Sequence, residues 1–196
     1  MFAPSDWEIE QLLGGINLAS TWGKRDYLMI LFLCHTGLRI GEMTRLTVEL
    51  AAHRGEPREE LYLPAAITKT RRARTVPLNP VAQMCVAKLM EFNKKRGFSV
   101  EPDAPLFPWK RHGFLPRREA ERTIQKLRER VGLSAKVTPH TFRHFFATRL
   151  LSAGADLATV QALLGHKSVE STQIYTHTTE EKKRAAVMRV LGKGAA

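Results

Sequence analysis

Apolar positions along the chain fall into two periods, and the period predicts the elements. Ile9, Leu12 and Leu13 recur at helical spacing behind Ser5-Asp6-Trp7-Glu8. A serine followed three positions later by a glutamate is the pairing that caps a helix start from both sides. From about Arg25 to His35 apolar residues run round the whole circumference, which predicts a central buried helix stopped by Thr36-Gly37. A short helix is expected over Glu42–Leu46. Between Val48 and Leu78 β-branched and aromatic residues alternate with polar ones in ELYLPAAITKT and ARTVPL, around a basic turn at Thr70-Arg71-Arg72, and predict a small antiparallel sheet.

Helical spacing then returns. Val81, Met84, Cys85, Leu89 and Phe92 predict one apolar face over Pro80–Gly97, Pro102–Pro108 is a loop, and Arg117–Val131 is a strongly charged helix. Thr138-Pro139 places a cap before a proline at the first helical position, so a helix runs from His140 to a stop at Gly154. Asp156 caps a shorter helix ending at Gly165. Two more are expected over Val169–Tyr175 and Thr179–Leu191, the last with Val187, Met188 and Leu191 as an apolar stripe that docks on a neighbouring subunit or on its own domain. No internal repeat or low-complexity linker interrupts the chain. The fold class is mainly α (α+β) with a small antiparallel β-sheet, in one domain over 1–196.

Charge narrows the partners. Thirty-one Lys+Arg against nineteen Asp+Glu leave a net +12, which favours a polyanion through counterion release and electrostatic steering. The longest apolar run, Tyr27–Cys34, is far short of the roughly 20 residues that span a bilayer. The start lacks a basic segment followed by an apolar one. Cys34 and Cys85 are the only cysteines, so neither a disulfide framework nor a paired-cysteine zinc site is available. The cytoplasm is the expected compartment, with no membrane association.

The chemistry concentrates in the C-terminal half, where His140, Arg143, His144, His166, Tyr175 and His177 lie close together in sequence. His140 and Arg143 share a face three positions apart, just inside a helix start whose N–H groups favour an anion. Phe142, Phe146 and Leu150 would bury another stripe, leaving that pair at the rim of a cleft. His140 and His144 are spaced like zinc ligands, but the glutamate of an HExxH motif and a third ligand are missing, so no metal is expected. Taken singly, each residue has an ordinary explanation: a solvated arginine, a capping histidine, a packing tyrosine.

Together, HTGLRIGEMTRL (35–46), TKTRRARTVPL (68–78), TPHTFRHFFATRLLSAG (138–154) and LLGHKSVESTQIYTH (163–177) resemble, in order, the four signature segments of the tyrosine recombinase (phage integrase) family. The resemblance covers nearly the whole chain and implies that family's catalytic-domain fold. It implies DNA strand cleavage and rejoining through a 3′-phosphotyrosyl intermediate, as in site-specific recombination or integration, without cofactor or metal. Arg39, Lys69, His140, Arg143, His166 and Tyr175 match the family's six catalytic positions, and Glu42 the acidic residue that often follows the first arginine by three. The implied roles are phosphate clamping by Arg39 and Arg143, general acid for Lys69, base for His140 and nucleophile for Tyr175. Arg71, Arg72 and Arg74 are rival phosphate contacts beside Lys69, while Tyr27 and Tyr62 read as packing residues.

The resemblance further implies double-stranded DNA as partner and self-assembly on it, dimer to tetramer, from a monomer in isolation. The chain would be the catalytic domain with the N-terminal core-binding domain absent. Two other classes compete: a type IB topoisomerase-like relaxation of DNA, and a non-catalytic DNA-binding regulator, which would need the charge but not Tyr175.

Overall fold

The computed structural model describes residues 3–110, 113–165 and 180–190. The elements in chain order are α1 (Asp6–Gly14), α2 (Gly23–Thr36), α3 (Ile40–Met43), α4 (Val48–Ala51), β1 (Ala52–His53), β2 (Glu56–Pro57), β3 (Glu60–Leu63), β4 (Arg74–Pro77), α5 (Pro80–Lys95), α6 (Arg117–Arg130), α7 (Pro139–Ser152), α8 (Leu157–Leu164) and α9 (Glu180–Arg189). The fold is mainly helical with small antiparallel ribbons, as the patterning predicts.

Local chemistry sets the helix ends. Ser5 Oγ accepts the Glu8 N–H while the Glu8 carboxylate accepts the Ser5 N–H at 2.8 Å, closing the capping box that starts α1. Gly37 ends α2 in the left-handed region at φ 61°. Asn79 caps α5 by accepting from Ala82, and Asp156 caps α8 by accepting from Thr159.

Helix α2 is the central element, packed between α5 and α7. Met29, Ile30, Phe32 and Leu33 are fully buried there, which accounts for its apolar circumference. Helix α7 divides its apolar residues: Phe142 and Phe145 enter the main core, whereas Phe146 and Leu150 join a second cluster with Val160, Leu163 and Leu164 of α8 and Ala186, Val187 and Val190 at the chain's end. Helix α9 therefore packs on its own domain in this chain, one of the two dockings its apolar stripe allows.

A buried cation ties the loop after Phe107 to the start of α2. The Arg25 guanidinium lies 4.5 Å from the Trp22 ring centre and 5.0 Å from that of Trp109. It donates to Asp26 and, at 3.1 Å, to the Pro108 carbonyl. Indole faces and a fixed acceptor compensate the desolvated charge.

Four expectations need correction. The single sheet over Val48–Leu78 is instead a short helix, α4, and two separate two-stranded ribbons. One is β1–β2, turned through Arg54 and Gly55 at positive φ, as tight hairpins require. The other is β3–β4, paired Glu60 to Pro77 through Leu63 to Arg74, with residues 64–73 as an irregular loop. The short helix at 42–46 begins earlier, at Ile40. The buried face of α5 runs through Ala82, Cys85, Val86, Leu89 and Phe92, and Met84 is exposed. Tyr62 is 53% exposed on the outer face of β3 and does not pack, while Tyr27 packs against the core. Among the described residues no helix is long and apolar enough to cross a membrane. The expected helix at 169–175 lies outside them.

Candidate active site

A cleft of about 740 Å³ opens between α3, the β3–β4 loop, the turn before α6 and the start of α7. Arg39, Lys69, His140 and Arg143 all line it, although they come from three separate stretches of chain, the last two from α7. His166 and Tyr175 lie outside the described residues. Arg45, Arg117 and the half-exposed Phe114 also line the cleft. No sequence signal marks these three; Arg45 lies within the first signature segment, but nothing local distinguishes it from a solvated charge.

Each of the four side chains is held by its element. Arg39 precedes the first turn of α3, and its backbone N–H and Nη1 both donate to Glu42, at 2.9 and 3.0 Å. Lys69 sits exposed in the β3–β4 loop. The loop is drawn in by Thr68, whose Oγ1 lies 3.1 Å from the Ala65 carbonyl oxygen and 3.0 Å from that of Arg72. With one proton, the hydroxyl donates to one of these at a time. His140 is exposed in the first turn of α7, and its ring meets that of His144 edge-on, centres 4.6 Å apart. Partial burial lowers the His140 pKa, reinforced by the cations of Arg143, Arg39 and Lys69, so at neutral pH the imidazole is neutral and able to accept a proton.

Arg143 departs from the expected rim position. It is 2% exposed and forms part of the cleft floor. Nη1 donates to the Gly37 carbonyl at 2.8 Å and Nη2 to the Leu164 carbonyl. These carbonyls lie at the C-terminal ends of α2 and α8, where a cation is favoured. Burial, then the Arg39 charge, brings the Arg143 pKa down to about 9, still cationic at neutral pH.

Arg74 is placed differently from its expected role as a rival phosphate contact. Its guanidinium grips both oxygens of Glu42, Nη1 to Oε1 at 3.0 Å and Nη2 to Oε2 at 2.7 Å, and it does not line the cleft. Burial pushes the Glu42 pKa up, but the bonds and charge of Arg74, followed by those of Arg39, outweigh it and hold the carboxyl below its ordinary range. Glu42 is therefore an anion 1% exposed under a cationic cleft. Among the described residues no three His, Cys, Asp or Glu side chains are grouped to hold a metal ion.

The arrangement of two guanidinium groups, an ammonium and a neutral imidazole round one cleft suits a phosphate oxyanion, and the chain as a whole is similar to known proteins. The phage integrase family model matches residues 5–182. The chain is 34% identical to tyrosine recombinase XerC of Oceanobacillus iheyensis over 93% of its own length and 58% of that protein's. It is 38% identical to tyrosine recombinase XerD of Corynebacterium glutamicum over 86% of its own length and 53% of that protein's. The crystal structure of XerA recombinase superposes over the whole chain and 67% of its own, with a TM-score of 0.69 and 26% identity. The fold and cleft define a tyrosine recombinase catalytic-domain architecture. The chain belongs to the phage integrase family. It spans somewhat more than half the length of the curated relatives it matches.

Proposed function

We propose that the protein is a tyrosine site-specific recombinase that cleaves and rejoins double-stranded DNA through a 3′-phosphotyrosyl intermediate, and that residues 1–196 act as one catalytic unit. The observation that carries this is the convergence of Arg39, Lys69, His140 and Arg143 on one cleft. The chain's likeness to named tyrosine recombinases supports it. The net charge of +12 supports duplex DNA as the partner, and assembly on DNA as dimer to tetramer follows from the family. The same partner, and two cysteines buried as free thiols, support a cytoplasmic location.

In the proposed reaction the Tyr175 oxygen attacks the phosphorus in line. A free tyrosine has a pKa of about 10, so roughly one part in a thousand is phenolate at neutral pH. His140, neutral and cleft-facing, takes the phenol proton. Arg39 and Arg143 stabilise the charge that develops on the non-bridging oxygens. The P–O5′ bond breaks as Lys69 protonates the leaving oxygen. The tyrosyl ester retains the bond energy, and attack by a 5′-hydroxyl reverses the steps.

Incubation with a nicked suicide duplex, followed by a denaturing gel, tests the proposal. Wild type forms a covalent adduct, and Tyr175→Phe, lacking one oxygen, binds the duplex but forms none. An adduct mapped to Tyr27, Tyr62 or a serine would overturn the assignment. Supercoil relaxation without exchange between two sites would point to the topoisomerase-like activity, and binding without any adduct to the regulator.

A further inference from the structure

We infer that Arg74 is a positioning residue that occupies Glu42 and so leaves the Arg39 guanidinium available to the cleft; this rests on the proposed reaction, in which Arg39 meets the phosphate. The geometry is a contest between two cations for one buried carboxylate. Glu42 Oε1 accepts from Nη1 of both Arg39 and Arg74, each at 3.0 Å, while Oε2 accepts the Arg39 backbone N–H at 2.9 Å and Arg74 Nη2 at 2.7 Å. Arg74 holds the carboxylate with a two-pronged fork, the strongest form of this pairing. Arg39 commits one guanidinium nitrogen.

Exposure follows the same division: the Arg39 side chain is 22% exposed and lines the cleft, the Arg74 side chain is 9% exposed and does not. Arg74 is further fixed by its stem. A Cβ added to Gly165 would stand 3.0 Å from Arg74 Cδ and 3.3 Å from Nε, so the side chain lies against that glycine. Nε is buried there with no hydrogen-bond partner among the described residues. A phosphate contact would need donors turned to the cleft, and Arg74 offers none.

Without Arg74, the full charge of Glu42 falls to Arg39, its remaining strong partner. Buried in low dielectric, that pairing draws the guanidinium down onto the carboxylate and away from the phosphate. Removing the Glu42 charge as well should release Arg39. A purely structural role predicts the opposite, since a second lesion in a buried network adds damage.

The test compares wild type, Arg74→Met, Glu42→Gln and the double variant by single-turnover adduct formation on the nicked suicide duplex, with duplex affinity measured in parallel. Arg74→Met should slow adduct formation by about tenfold or more, up to the roughly 10²–10³ of losing one preorganised donor outright, with affinity changed less than about twofold. Adding Glu42→Gln should restore most of the rate. Arg39→Ala should cost much less in the Arg74→Met background than in wild type, because the two lesions act on one group. Additive losses, no rescue by Glu42→Gln, or weakened affinity with a salt slope reduced by about one would overturn the inference. If Arg74→Met melts below the assay temperature, Arg74→Lys replaces it, with a smaller loss and the same rescue expected. NMR of the Arg39 side-chain N–H in these proteins gives a readout independent of activity. The resonance should shift in Arg74→Met and return in the double variant. A wild type that forms no adduct removes the proposed reaction, whereas an unmoved resonance removes the positioning role.

Discussion

Arg143 Nη1 donates to the Gly37 carbonyl at 2.8 Å across 106 positions of sequence. One side chain of the HxxR pair thus secures the turn that leads into Arg39, while its other nitrogen secures the end of α8 at Leu164. Arg143→Ala should therefore act twice. Adduct formation should fall by about 10²–10³, the usual cost of one preorganised donor, and two orphaned carbonyls should lower stability by roughly 1–3 kcal/mol each at most. Arg143→Lys, with one compact ammonium, should recover little of either. Single-turnover kinetics beside urea melts separate the two effects; full activity with lost stability would leave Arg143 only a structural role.

Gly37 is constrained by conformation and by space. Its φ is 61°, and an added Cβ would stand 2.4 Å from Phe146 Cδ1 and 3.0 Å from Leu164 Cδ2. Gly154, at φ 85°, has nothing within 4 Å of that point. Gly154→Ala should cost only the backbone penalty, about 1 kcal/mol, and Gly37→Ala about 2–4 kcal/mol through the added overpacking. Chemical denaturation of both decides it, and equal losses would contradict the steric argument.

His35 should make stability depend on pH. Burial, then the Arg149 charge, lowers its pKa to about 4, and the Asn79 amide donates to Nδ1 at 3.1 Å, which requires that nitrogen unprotonated. The unfolded chain binds a proton below about 6.5 where the folded one does not. Stability should thus fall as pH drops from about 6.5 to 4, by roughly 3 kcal/mol at most. Glu42, held below its ordinary range, contributes above about 4.5, and its contribution is lost at lower pH. His35→Gln should flatten the upper window and leave the lower one; a slope unchanged in the variant would assign the dependence elsewhere.

Lys69→Ala should slow cleavage of an ordinary phosphodiester strongly, because the 5′-oxygen then departs without its proton. On a substrate with sulfur at that bridging position the loss should disappear, since a thiolate leaves unprotonated. Equal impairment on both substrates would move the acid role to another group.

What could be read from the chain was what neighbours in sequence decide. Ser5 with Glu8, Gly37 after α2, Asp156 before α8 and the HxxR spacing each announce themselves within a few residues. The rest depends on partners far along the chain. Nothing around Arg74 reveals that its charge is matched by Glu42, 32 positions earlier, and a basic turn is the natural reading of RRAR. The spacing of α7 shows which residues share a face and so puts Arg143 at a rim, whereas the two carbonyls that draw it inward belong to the ends of other helices. Strand alternation makes Tyr62 a packing residue, yet a two-stranded ribbon covers only one of its faces.

The position of α2 has a consequence for how the chain reaches this state. Its apolar circumference closes only when α7, more than a hundred residues later, lies down against it. During synthesis, N-terminal end first, the helix with the most buried residues must wait for one of its last partners. Distant pairing of this kind slows folding and lengthens the time an adhesive surface stays open, so nascent chains ending before Pro139 should be the ones that engage chaperones.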